Sequence, residues 1–156
     1  MIGQLRRLLR ELAARPAAQP DPDQVPLAMA ALLVEAARAD HYVKEEELEE
    51  LGTLLAVRLD LEPAAAAALV HRARDAVEKS VSLYEFTRPL HEALSYPQKE
   101  ELVRMLWHVA LADRHLDKYE DYLIGKVSEL LYVARGDVLR LKHEARQFRL
   151  AADGGD

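Results

Sequence analysis

Two stretches of this chain repeat each other. ARADHYVKEEELEELG at residues 37–52 and ALADRHLDKYEDYLIG at residues 110–125 align with an offset of 73, since 113 − 40 = 73. The offset sets Asp40 on Asp113, Ala37 on Ala110, Ala39 on Ala112, Glu47 on Glu120 and Gly52 on Gly125, and it brings Val43 onto Leu116 and Leu51 onto Ile124. Each copy reads as the end of one helix, a short acidic loop with one apolar plug, and the start of another helix. A chain organised around two such units has to bury helix faces against helices, and the expected arrangement is a pair related by a pseudo-twofold axis.

The rest of the chain fits that frame. No run alternates between apolar and polar with period two, so no sheet is expected. Leu5, Leu8, Leu9 and Leu12 fall at helical spacing beside Arg6, Arg7 and Arg10, which marks residues 1–15 as an amphipathic helix. Such a helix can dock on the core, or lie on a membrane surface or a partner. PAAQPDPDQVP at residues 16–26 carries four prolines and no periodicity, and reads as a linker.

A mostly apolar helix follows at about 26–39, with Pro26 in its first turn. The next spans about 44–59, with Leu48, Leu51, Leu55 and Leu59 on one stripe, and an alanine-rich helix runs from Pro63 to about Lys79. Ser82 can cap SLYEFTRPLHEAL, where Pro89 should kink the backbone. Ser95 with Gln98 has capping-box spacing for a helix to about Ala112, and Asp117 with Glu120 has it again. The last helices are expected at about 117–132 and 137–148. The fold class is therefore all-α, a compact domain of about seven to eight helices with an internal pseudo-twofold repeat. Its organisation is read as an N-terminal helix and linker over 1–25, a helical domain over 26–150 and a disordered tail over 151–156.

Composition narrows the function. A chain of 156 residues, half of them apolar, can bury a sizeable core as one domain without a staple. The absence of cysteine removes disulfides, thiolate metal sites and cysteine nucleophiles, and suits a reducing cytoplasm. A net charge of −6 disfavours nucleic acid, which needs concentrated Lys and Arg, and suits cations or basic partners. No segment approaches a transmembrane span, and the first residues lack the long apolar region of a secretory signal.

The loops carry the candidate chemistry. Asp113, Asp117, Glu120 and Asp121 lie within one loop and one helical turn, and Asp40 is followed by Glu45, Glu46 and Glu47. Clustered carboxylates suit hard divalent cations such as calcium, magnesium or manganese. The spacing is not that of an EF-hand, and the same acids can serve as helix caps and as partners of the helix dipole. Glu35 and His108 are equivalent under the offset and sit in otherwise apolar helices, where they can pair near the centre or join a metal site that includes zinc. His41 and His115, inside the loops, are read as solvated side chains that could also admit a transition metal.

The ALAD helix end, the plugged loop, the acidic helix start, YEFT, and above all LWHVALADRHLDKYE resemble the TerB family of tellurite-resistance-associated proteins over about residues 27–147. That resemblance implies an all-helical fold with a pseudo-twofold arrangement, cation-binding acids, and cytoplasmic or inner-membrane-associated partners in stress responses. By position, the family's loop acids fall on Asp40 and Asp113 and its helix-start acids on Glu47 and Glu120. Where family members often have glycine after the Asp, this chain has His41 and Arg114, which changes the turn available to the loop.

The expectation is a non-catalytic cytoplasmic module that binds a divalent cation through Asp40, Glu47, Asp113 and Glu120, with Glu35 and His108 nearby, within a tellurite- or stress-related assembly. The alternative is a purely structural protein–protein interaction domain without metal. No nucleophile with its base and no glycine-rich phosphate loop is legible, so no enzyme is expected. Oligomeric state and partner identity are left open.

Overall fold

The computed structural model describes residues 3–13, 24–38, 43–112 and 118–154, with side chains placed to residue 11 in the first segment and to residue 147 in the last. The described residues form helices α1 (Gly3–Ala13), α2 (Gln24–Ala37), α3 (Glu45–Leu59), α4 (Pro63–Lys79), α5 (Tyr84–Ala93), α6 (Tyr96–Ala110), α7 (Lys118–Leu130) and α8 (Arg135–Gly154), and no strand occurs among them. The all-α expectation is met. No described helix is long and apolar enough to cross a membrane.

Helix α2 is the axis of the fold. Val25, Ala28 to Val34 and Ala36 are all buried, and the helix packs on α3, α4, α5, α6 and α7. Four of those positions are alanines, which let neighbouring backbones approach a helix covered on nearly every side. It begins two residues before the expected start, so Pro26 stands at the third helical position, where its missing N–H is still one of the amides that lack an intrahelical acceptor.

The remaining helices each bury one stripe. Leu48, Leu51, Leu55 and Leu59 of α3 are all buried, as their spacing predicts. Gly52 lies on the same face, against Ala67 of α4. Leu69, Val70, Ala73 and Val77 of α4, with Phe86 and Leu90 of α5, continue the core, and α5 runs through Pro89 to Ala93.

Helix α6 opens on the expected capping box. The Gln98 amide donates to Ser95 Oγ at 3.4 Å, and the Ser95 amide donates to Gln98 Oε1 at 2.8 Å. Trp107 of α6 is buried, and its indole donates to the Val138 carbonyl of α8 at 3.2 Å. Lys142 of α8 lies over the Trp107 ring, with its ammonium 5.1 Å from the centroid, and donates to Asp121 of α7 at 2.8 Å. Helix α8 extends to Gly154, beyond the expected end near 148.

Helix α1 spends its leucine stripe on α3 and α6. Leu5 is fully buried and Leu8 nearly so, Arg6 donates to the Val57 carbonyl, and Gln98 Nε2 donates to the Gln4 carbonyl at 3.0 Å.

The helix ends that flank the two loops keep the sequence offset, whereas the far ends of α3 and α7, Leu59 and Leu130, are 71 residues apart (130 − 59). α2 ends at Ala37 and α6 at Ala110, and α3 begins at Glu45 and α7 at Lys118, each pair 73 residues apart (110 − 37 and 118 − 45). α3 and α7 are also closed alike. Asp60 (φ 56°) and Tyr132 (φ 61°) adopt the left-handed conformation, and the following amides, Leu61 and Val133, donate back to Ala56 and Ser128 at 3.0 and 2.9 Å. That six-residue closure satisfies carbonyls that the last turn leaves open.

Candidate functional site at the loop end of the bundle

The repeated loops leave α2 and α6 at their C-termini and enter α3 and α7 at their N-termini. Asp40 and His41 of the first loop, and Asp113, His115 and Asp117 of the second, lie outside the described residues, as does the capping box expected from Asp117. A hydrogen bond joins α2, which leads into the first loop, to α7, which follows the second. Glu35, in the last turn of α2, accepts from the Tyr119 hydroxyl of α7 at 2.8 Å on Oε1, and from Arg38 Nη1 at 3.1 Å on Oε2.

The pair spans 84 residues of sequence. It holds the helix that leads into the first loop against the helix that leaves the second. Burial, followed by the hydrogen bond and the charge of Glu35, pushes the Tyr119 phenol up to about 12, while Arg38 works in the opposite direction. The hydroxyl therefore stays protonated and donating at any physiological pH. Arg38 and Glu35 are mostly covered, with 19% and 14% of their side chains exposed, so their ion pair is less screened than a surface pair.

The other sequence-predicted acids sit in first turns. Glu47 is half-buried on α3, and Glu45 and Glu46 beside it are exposed. Glu120 is 9% exposed on the inner side of α7. Three acids at the start of α3 and two at the start of α7 stand at the positive ends of their helix dipoles. Glu45 has a further partner in α4. His71 Nε2 lies 3.0 Å from Glu45 Oε1, and His71 Nδ1 lies 2.9 Å from the Ala67 carbonyl. Both partners are acceptors, so the imidazolium form satisfies both nitrogens. The Ala67 carbonyl first, then Glu45, raises the pKa of His71 above the ordinary histidine value.

His108 is half-buried on α6, and the equivalence with Glu35 suggested that the two could meet. Glu35 accepts from Arg38 on one carboxylate oxygen and from Tyr119 on the other. Those two residues were missed by sequence reasoning. Arg38 stands three positions after Glu35, a helical neighbour whose pairing is legible in principle. Nothing local in the sequence links Glu35 to Tyr119, because the contact depends on how α2 packs against α7. Among the described residues, no three His, Asp or Glu side chains stand close enough together to hold a metal ion.

No curated protein and no solved structure matches the chain. The sequence pattern of the tellurite resistance protein TerB family does match it over residues 26–143, from the start of α2 into α8, taking in both loops and the Glu35–Tyr119 contact. A match over that much of the chain makes this protein a member of the TerB family.

Proposed function

We propose that this protein is a non-catalytic TerB module that binds a divalent cation at the end of the bundle where its two repeated loops emerge, and that it acts in a tellurite- or stress-related assembly. Asp40 and Asp113 are the principal ligands in this reading, with Glu47 and Glu120 supplying further charge from the adjoining first turns. The observation that supports it is the Glu35–Tyr119 bond, because it ties a helix that borders the first loop to one that borders the second. Paired loops on tied helices can offer carboxylates to one ion, and oxygen donors select calcium, magnesium or manganese, whereas participation of His108 would favour zinc. Glu35 serves here as a positioning residue through Tyr119, which it holds against α2.

The test is thermal unfolding of chelator-treated protein titrated separately with calcium, magnesium, manganese and zinc, in the native sequence and in the double variant Asp40→Asn, Asp113→Asn. Binding to the folded state stabilises by RT ln(1 + [L]/Kd), so about 2.7 kcal/mol is expected at a hundredfold excess over Kd. Asparagine still caps a helix, so the variant should keep its metal-free stability and lose the metal response. Equal stabilisation of both proteins would remove the loop aspartates from the site. No response to any of the four metals would favour the interaction-domain alternative, with the exposed Tyr119 and Tyr122 of α7 as its natural contact surface.

A further inference from the structure

A separate cavity of about 250 Å³ opens between the C-terminal end of α2, the entry to α3 and the second half of α4. Its apolar lining among the described residues is Val34, Val43 and Val77, one residue from each of these three places. Around the valines stand, among the described residues, four charges of balanced sign, Arg38 and Arg74 against Glu45 and Glu78.

Two of those charges, one of each sign, are braced from outside the cavity. Arg38 is held by Glu35, which Tyr119 holds in turn. Glu45 is held by His71, which is itself anchored on the Ala67 carbonyl. A guanidinium and a carboxylate fixed in this way lose less side-chain freedom when they engage a ligand. Arg74 reaches its sequence neighbour Asp75 at 3.5 Å, the long limit of a hydrogen bond, so little would be lost on redirecting it.

We propose that this cavity is a binding site for a small apolar α-amino acid, its carboxylate taken by Arg38 and Arg74, its ammonium by Glu45 and Glu78, and its side chain laid on Val34, Val43 and Val77. Opposite charges with an apolar floor match a zwitterion carrying a hydrocarbon side chain better than a simple anion, which would meet the two glutamates, or a simple cation, which would meet the two arginines. The volume admits a ligand the size of valine or leucine and excludes a folded peptide element. A ligand of so few atoms in an open, water-exposed site should bind with a Kd on the order of 1 mM. None of the seven lining residues among those described is a proposed metal ligand, so leucine binding is tested apart from the cation reading.

The experiment is a titration of the full-length, isotope-labelled protein with L-leucine, followed by amide and methyl chemical shifts. Saturable shifts at Val34, Val43 and Val77 are expected. Leucinamide, which lacks the carboxylate charge, N-acetyl-leucine, which lacks the ammonium charge, and glycine, which lacks the apolar body, should each bind at least about tenfold more weakly. Arg74→Gln and Glu45→Gln change partly exposed side chains, so their spectra should report a folded protein with leucine affinity reduced by a similar factor. Absence of shifts at these valines up to about 20 mM leucine, some twentyfold above the Kd expected for so small a ligand, would overturn the proposal. So would equal binding of leucine and the two singly charged analogues, or undiminished affinity in both variants.

Discussion

Replacing Glu101 by glutamine should make this protein more stable at neutral pH, and the gain should fade as the pH is lowered. Glu101 lies on α6 beneath the N-terminal turn of α1, is 2% exposed, and has no hydrogen-bond partner in good geometry for either carboxylate oxygen. Burial pushes its carboxyl above the ordinary glutamate range. The nearby Leu5 amide and the charges of Arg58 and Arg104 oppose that shift without cancelling it.

The sign follows from proton linkage. A carboxyl whose folded pKa exceeds its unfolded pKa takes up a proton on folding between the two values. Stability therefore falls as pH rises from the ordinary glutamate range through the raised folded pKa, and is flat above it. Glutamine keeps the shape and an acceptor for the Leu5 amide but has no charge to desolvate. Leaving a buried polar group without a partner costs about 1–3 kcal/mol and more when it is charged. The glutamine amide keeps the first cost and is spared the excess, part of which the two arginines already offset for the carboxylate. A gain of about 1–2 kcal/mol at pH 7.5 is expected, which for a domain of this size raises Tm by about 3–6 °C.

Urea unfolding followed by circular dichroism at pH 7.5 and near pH 4.5 measures both quantities, with the difference between the proteins shrinking towards zero at the lower pH. A variant less stable than the native protein at pH 7.5, or an advantage of equal size at both pH values, would refute the account of Glu101 as a desolvated charge.

Tyr119→Phe removes the hydroxyl that joins α7 to Glu35, and should cost about 1–2 kcal/mol in urea unfolding, in the range for a hydrogen bond to a charged group. In the same variant any metal response of the loops should weaken, because the helices bordering them are no longer tied. Gly125→Ala should stabilise by about 0.5–1 kcal/mol, since an added Cβ meets nothing within 4 Å and an alanine in the middle of α7 costs less backbone entropy than glycine. A Tm below that of the native protein would show that the surface around Gly125 is already in use.

The helices were legible because their signals are local. The leucines of α3, the capping box of Ser95 and Gln98, and the proline at the start of α4 each depend on residues within a few positions of one another, and each is found where the pattern places it. The helix ends at Asp60 and Tyr132 were less legible. Left-handed termini are usually announced by glycine, and here an aspartate and a bulky tyrosine adopt that conformation, held by the back-donating amides of Leu61 and Val133. The candidate site divides in the same way. Acids in the first turns of α3 and α7 could be read from spacing, whereas the Glu35–Tyr119 bond, the Glu45–His71 bond and the cavity between α2 and α4 arise from packing between segments far apart in sequence.

Helix α1 separates what this chain shares with its family from what it carries itself. The family match begins at residue 26, yet Leu5 and Leu8 lie inside the core against α3 and α6. Two buried leucines, the Gln98 bond to the Gln4 carbonyl and the Arg6 bond to the Val57 carbonyl favour docking, while the desolvated Glu101 beneath the first turn opposes it. Burying each leucine is worth about 1.5–3 kcal/mol before the cost of ordering the helix, so a change of about 1–2 kcal/mol at Glu101 is a sizeable part of what holds α1 in place. The charge state of Glu101 acts directly on that balance. Protonation relieves the cost of the buried charge and tightens α1 onto α3 and α6, which makes amide-exchange protection in α1 more sensitive to pH than protection in α2.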